Sequence, residues 1–161
     1  MQTKNSVIHQ TFKLKSSFEE FTVNIEKVLQ RLAPDWSEKF ESDPESLKDY
    51  LNDTAGSAGL MIFSDQQHGS LLALKGAPRK AVQYTIGNPL TALEMTFHDI
   101  RAALYAPVRI LVYENEKTEL NVEYDLPSSQ FGQFGNEAFL VAKSVDSKLE
   151  AAILDADNFV R

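Results

Sequence analysis

Arg109 is the residue in this sequence whose position most strongly suggests a partner. It lies inside the apolar run from Val108 to Tyr113, and in a strand it would share a face with Leu111 and Tyr113. If that face is buried, an unpaired guanidinium is unfavourable, so a carboxylate or an anionic ligand should lie nearby. Pairing within the protein is the simpler interpretation. Contact with a ligand is the alternative, because sheet faces often line clefts.

His98 is the second candidate for chemistry. It follows Met95 by three residues, so both would lie on one side of a helix, where they could form a haem-ligand or general-base face. The plainer alternative is a hydrogen-bonded surface histidine beside Asp99. His9 and His68 are predicted on an exposed strand face and in a turn. With three histidines, no cysteine and no His-Glu-x-x-His spacing, we expect no metal site.

Two glycine-containing segments precede predicted helices. They are Gly87-Asn88-Pro89 and the loop from Gly132 to Asn136, and free N–H groups at a helix start favour an anion. Neither segment is a Walker loop or a dinucleotide fingerprint, because the lysine and the third glycine are missing. Turn geometry is therefore the preferred explanation for both.

Hydrophobic periodicity in the first half predicts a strand, a helix and an acidic helical segment. Ile8 to Leu14 alternates like a strand, and Ser17 with Glu20 forms a capping box that opens a helix running towards Pro34. Six acids against two lysines between Ser37 and Asp53 mark the segment from Pro34 to Gly56 as acidic, and Asp43-Pro44 should start a helix in it. We predict a hairpin next, from the strands Leu60–Phe63 and Ser70–Leu74.

The second half predicts three more strands and two long helices. Ala81 to Ile86 should be a strand with Val82, Tyr84 and Ile86 on one face, and Val108–Tyr113 and Leu120–Tyr124 a hairpin. A helix capped by Asn88 should end at Pro107 with a core stripe of Leu90, Leu93, Phe97, Ile100 and Leu104. Asn136 should cap the last helix, whose stripe is Phe139, Ala142, Val145, Leu149, Ala152 and Ala156. Antiparallel strand pairs with helices between them indicate the α+β class.

Composition limits the function classes. At 161 residues, with 43% hydrophobic and 24% charged residues, the chain should form a single domain over residues 1–161 with an acidic helical insertion at about 34–56. The net charge of −7 opposes nucleic-acid binding, and the lack of a signal-like or membrane-length apolar run predicts a soluble, cytoplasmic protein without a membrane partner. A mildly basic middle includes Arg79 and Arg109, which indicates an anion site or internal ion pairing.

Several runs in the second half resemble the family called domain of unknown function 302. The similarity covers roughly residues 58 to 154, and the runs that carry it are Arg79 to Pro89, Met95 to Asp99, Ala106 to Glu114, Tyr124 to Ser129 and Phe131 to Gly135. The resemblance implies a curved antiparallel sheet packed against two or three helices, like the TATA-box-binding-protein fold, and no settled activity. A fold of this name does not imply DNA binding.

Three functional hypotheses remain, and the sequence contains no recognised catalytic motif. The first is a small-molecule-binding or accessory domain with a pocket between the sheet face that bears Tyr84, Arg109 and Tyr113 and the helix that bears Met95 and His98. The candidate ligand-binding residues are Arg79, Tyr84, Asn88, Met95, His98, Arg109 and Tyr113. The second is a cofactor-assisted enzyme, for example haem-dependent, that uses His98 and Arg109. The third is self-association, as a homodimer, through the acidic segment or through Phe131 and Phe134.

Overall fold

Five antiparallel strands in residues 1–159, the part of the chain described by the computed structural model, form one open sheet in the order β1-β5-β4-β3-β2. The strands are β1 (His9–Lys13), β2 (Met61–Gln66), β3 (Ala81–Gly87), β4 (Val108–Glu114) and β5 (Leu120–Asp125). Together with the helices, this sheet confirms the α+β class.

Helices occupy most of the connections. They are α1 (Phe18–Val28), α2 (Lys39–Ser42), α3 (Pro44–Ala55), α4 (His68–Leu71), α5 (Pro89–His98), α6 (Pro127–Phe131) and α7 (Asn136–Asp157). Single 3-10 segments lie at Trp36–Glu38, Gly56–Ala58, Leu72–Lys75, Ile100–Tyr105 and Gly132–Phe134. None of the helices in residues 1–159 combines the length and the apolar character that a membrane span requires.

The two faces of the sheet differ in burial because side chains alternate along each strand. The inner face packs on α1 and α7, and its central residues are buried: Val82, Tyr84, Ile86, Val108, Ile110, Val112 and Val122. The outer face carries exposed or half-buried side chains, among them Arg109, Leu111 and Tyr113. Tyr84 pairs with Ile110 in the β3–β4 register, whereas Arg109 pairs with Thr85. Tyr84 and Arg109 therefore lie on opposite faces, which corrects the expectation that they share one.

Local capping explains where the first helices begin. Ser17 accepts a hydrogen bond from the Glu20 backbone at 3.2 Å, and the Glu20 carboxylate accepts one from the Ser17 backbone at 3.1 Å, which confirms the capping box at α1. Asp43 accepts one from the Ser46 backbone at 3.1 Å and so caps α3 as predicted. The acidic segment is therefore helical.

The strand predicted at Ser70–Leu74 is wrong. These residues lie in α4 and the 3-10 segment after it, and Leu71 and Leu74 are exposed by 62% and 83%. The partner of β2 is β3 instead. Gly69 sits so close to β3 that a Cβ there would lie 2.1 Å from the Arg79 carbonyl oxygen. The connection therefore crosses this point as a helical turn that only glycine fits.

The helix predicted to run to Pro107 is also different. Helix α5 ends at His98, because Asp99 takes an extended conformation and caps a separate 3-10 segment by accepting the Arg101 N–H at 2.9 Å. Met95 and Ala102 are the buried residues of this region. Four residues of its predicted core stripe instead face solvent: the exposed fractions are 56% for Leu93, 82% for Phe97, 74% for Ile100 and 77% for Leu104. Leu90, the first residue of the stripe, is half-buried.

Helix α7 largely follows the prediction. Ala142, Val145, Leu149, Ala152 and Ala156 are buried as expected, whereas Phe139 is 39% exposed. The predicted cap at Asn136 is wrong. Gly135 occupies the cap position with φ of +115°, a conformation that favours glycine, and Asn136 is the first residue of the helix.

Candidate functional site

The main candidate site is an open cleft with a volume of about 850 Å³. It lies on the inner side of the sheet, where β3 ends and β4 begins, between α5 and the acidic segment. Most of its lining is apolar, and the principal apolar side chains are Trp36, Phe40, Leu47, Leu51, Leu60, Phe63, Ile86, Leu90, Leu93, Met95, Pro107 and Phe131. A cleft of this size and character is typical of small-molecule sites.

The acidic segment forms one wall of this cleft. Leu47, Leu51 and Ala55 of α3 pack against Leu32 and Met61 in a hydrophobic cluster of their own. This cluster lies beside the main core rather than inside it. The helix therefore turns its charged side to solvent and its apolar side towards the sheet, as an amphipathic surface helix does.

Aromatic contacts and one hydrogen bond fix the entry to the acidic segment. The Trp36 and Phe63 rings meet edge to face, with centroids 6.5 Å apart, and both rings line the cleft. The Tyr50 hydroxyl accepts a hydrogen bond from the Ala33 backbone at 3.0 Å. These contacts tie the acidic segment to the loop after α1 and to β2, so the cleft has a defined wall on this side.

Polar groups are few in the cleft and lie mostly at its mouth. Asn88, which caps α5, is engaged on both sides: its amide donates to the Gly59 carbonyl at 3.1 Å and its oxygen accepts the Leu90 N–H at 2.9 Å. The charged lining residues Glu41, Lys48 and Glu94 are exposed. No histidine belongs to the lining that residues 1–159 provide. The walls of the cleft are therefore mainly apolar, and its charged side chains are exposed.

Only two of the predicted ligand-binding residues lie in this cleft, namely Asn88 and Met95. Met95 is 3% exposed and forms part of the wall beneath α5. Tyr84 is in the core, with its hydroxyl 3.4 Å from the Glu26 carboxylate, and burial raises its pKa.

The other four predicted residues lie elsewhere, and one of them, Tyr113, is half-buried on the outer face of the sheet. Arg109 is exposed on the outer face of the sheet, and within residues 1–159 it has no ion-pair partner. A partner was expected only if the guanidinium were buried, and it is not buried. His98 is exposed at the end of α5, with its ring 5.6 Å from that of Phe97. Arg79 is exposed and 4.0 Å from Glu116. The haem hypothesis requires His98 and Arg109 in one site, and the structure does not bring them together.

The aromatic residues proposed for self-association are engaged inside the protein. Phe131 is 1% exposed and belongs to the core, and Phe134 is half-buried. Both rings contact Tyr105, with centroid distances of 6.2 Å and 5.9 Å. A partner could reach Phe131 only if this loop opened.

A polar network on the outer face was missed in the sequence. His9 of β1 lies between two carboxylates of β5, with Nδ1 2.9 Å from Asp125 and Nε2 3.3 Å from Glu123. The Tyr113 hydroxyl donates to the second Glu123 oxygen at 2.5 Å. The β1–β5 register, which pairs His9 with Asp125, is what brings these groups together. Side-chain alternation predicts which face of its own strand each of these residues lies on. It does not predict which residues of β1 and β5 are paired.

Hydrogen bonds raise the pKa of two groups in this network, His9 and Tyr113. The bonds to Asp125 and then Glu123 raise the pKa of His9, so the imidazolium form is favoured. The bond to Glu123 raises the pKa of Tyr113. Because the two ring nitrogens point at different carboxylates, these side chains do not converge on one point. Within residues 1–159, histidine, aspartate and glutamate form no group of three that could hold a metal ion.

Comparison with known proteins agrees with the resemblance seen in the sequence. The model of the family described as domain of unknown function DUF302 matches residues 36–156, a range that includes α3 of the acidic segment. A crystal structure of an uncharacterized conserved protein DUF302 from Bacillus stearothermophilus is similar, with a TM-score of 0.65 and 16% sequence identity. The similarity covers 93% of this chain and 98% of that one. The comparison with curated proteins gives no match.

Proposed function

Since this chain belongs to the DUF302 family, whose description assigns no activity, we propose a function from the geometry of its own cleft: the protein binds a predominantly apolar small molecule between α5 and the acidic segment. The observation that carries the proposal is the cleft of about 850 Å³ with its apolar lining. Burial of apolar ligand surface there would supply most of the binding free energy.

The mouth of the cleft supports an apolar ligand. Phe40 and Leu93 both line it and are 63% and 56% exposed. An apolar ligand that entered between them would cover part of this surface, and removing exposed apolar surface from water is favourable.

A blocked-cleft variant tests the proposal. Ala92 lies on α5, is half-buried and lines the cleft, so Ala92→Trp should fill the space that a ligand would use. We expect the wild type to bind the neutral dye Nile red with a rise in fluorescence, and Ala92→Trp to lose at least about tenfold in affinity because the apolar contact area is displaced. The measurement is a fluorescence titration at constant protein concentration.

Two further variants make the test specific. Ala103→Trp places the same side chain at an exposed position outside the cleft and should bind the dye like the wild type. Thr96→Phe blocks the cleft from a second position if Ala92→Trp lowers stability. Dye binding that is equally strong in the wild type and in folded Ala92→Trp and Thr96→Phe would reject the cleft as the site.

A further inference from the structure

A second, smaller cleft adjoins the apolar one and differs from it in character. Its volume is about 410 Å³, and it lies between α3, α5 and α7. Asn52, Asn88, Leu90, Thr91 and Glu94 line both clefts, so the two spaces meet along α5. Ser144 and Lys148 of α7 line the smaller cleft alone, which we call the polar cleft.

Lys148 is the cation of the polar cleft. It is half-buried, and its side chain lies over Gly59: a Cβ at that glycine would be 3.2 Å from Lys148 Cε and 3.3 Å from Nζ. Among residues 1–159 no carboxylate lies within 4.0 Å of its ammonium group, whereas Lys143 on the same helix pairs with Asp146 at 3.3 Å. The Lys148 ammonium group is therefore available to an anion from outside the chain.

The neighbours of Lys148 restrict the kind of anion. Asn52, Thr91 and Ser144 offer neutral hydrogen-bonding groups around the polar cleft. Glu94 also lines it and contributes one negative charge. One cation and one nearby carboxylate favour a ligand group with a single charge over a doubly charged phosphate, because the second charge would be repelled without compensation.

We propose that the two clefts together bind a molecule with an apolar chain and a single carboxylate, with the chain in the apolar cleft and the carboxylate at Lys148. This inference rests on the proposed function and adds the chemical class of the ligand. Five shared lining residues support it, because they place the two clefts side by side along α5. A charge-assisted hydrogen bond from the ammonium group would fix the orientation of the ligand.

A matched pair of ligands tests the carboxylate separately from the chain. Dodecanoate and 1-dodecanol have the same chain and differ in the head group, and each can be titrated against bound Nile red. We expect the wild type to bind dodecanoate on the order of tenfold more tightly than the alcohol, with a preference that shrinks at high salt. In Lys148→Met the preference should disappear, because the charge that selects the carboxylate is removed.

The variants are chosen so that each outcome has one meaning. Lys148→Met keeps an apolar stem over Gly59, and Lys148→Gln serves as a second neutral variant if the first is unstable. Lys143→Gln removes a lysine from the same helix outside both clefts and should keep the wild-type preference. Equal affinity of the wild type for the two ligands, or an undiminished preference in Lys148→Met, would overturn the inference but leave the proposed function standing. Failure of both ligands and of Nile red to bind would overturn both.

Discussion

The inner and outer faces of the sheet show how differently one strand can be used on its two sides. On β4, Val108, Ile110 and Val112 are buried against the helices, while Arg109 between them is exposed. The outer face holds a histidine between two carboxylates, but the cleft with apolar walls opens on the inner side, at the end of the strands. Conspicuous polar residues and the apolar cleft therefore lie on opposite sides of the sheet.

This difference explains why the sequence indicated Arg109 on the outer face rather than the apolar cleft on the inner side. A cation inside an apolar strand drew attention because burial would demand a partner, yet the strand is buried on only one side. The apolar cleft is lined by residue types that also form ordinary hydrophobic cores, such as Leu60, Ile86 and Met95. Apolar binding clefts and hydrophobic cores use the same residue types, so composition alone does not separate them.

The largest effect should come from the inner face. Ile110 is 0% exposed, so Ile110→Ala should lower the free energy of unfolding by about 3 kcal/mol through lost apolar burial and the cavity left behind. Urea denaturation measures this change. Leu111→Ala, at the next position of the same strand on the outer face, is the matched control and should cost less than about 1 kcal/mol. Equal losses at the two positions would contradict the assignment of the faces.

A smaller, pH-dependent effect should come from the network around His9. The pKa of His9 is raised in the folded protein, so its contribution to stability is fully present below the unfolded pKa of about 6.5 and is lost as pH rises through the folded pKa. The difference in Tm between the wild type and His9→Gln should therefore be larger at about pH 5.5 than at about pH 9. A difference that grows with pH would show that the imidazolium is not stabilised by Asp125 and Glu123.

The smallest effect is expected at Arg109. Because it is exposed and lacks an ion-pair partner among residues 1–159, Arg109→Ala should change the free energy of unfolding by no more than about 0.5 kcal/mol. The same urea titration used for Ile110→Ala measures it. A loss above about 2 kcal/mol would indicate a stabilising contact for the guanidinium. The outer face would then contribute more to stability than its exposure suggests.

The fold was predictable where local signals agreed with tertiary packing. The capping box at Ser17, the cap at Asp43 and the stripe of α7 around Leu149 all correspond to observed elements. Short apolar runs were less informative, since Leu71 and Leu74 suggested a strand but lie exposed in a helical connection. Whether such a run joins the sheet depends on which strand pairs with it. The run at Leu71 and Leu74 was expected to pair with β2, but β2 pairs with β3.

The candidate site was less predictable than the fold. Spacings of three and four residues identified the row containing Leu93 and Phe97, but α5 is apolar on more than one side, and its buried residue is Met95. Periodicity shows that a helix has an apolar face, and it does not show which face a neighbouring helix covers. The cleft depends on how α3, α5 and the sheet end meet, which requires contacts far apart in sequence.

The strand order also bears on how the chain assembles. Strands β4 and β5 are joined by the short turn after Glu114, whereas the side-chain contact between His9 and Asp125 on β1 and β5 spans 116 residues. The entropy lost on closing a loop grows with the length of chain enclosed. Docking β1 on the edge of the sheet is therefore the pairing with the greater loop-closure cost, and the contacts made by the edge strand must offset it.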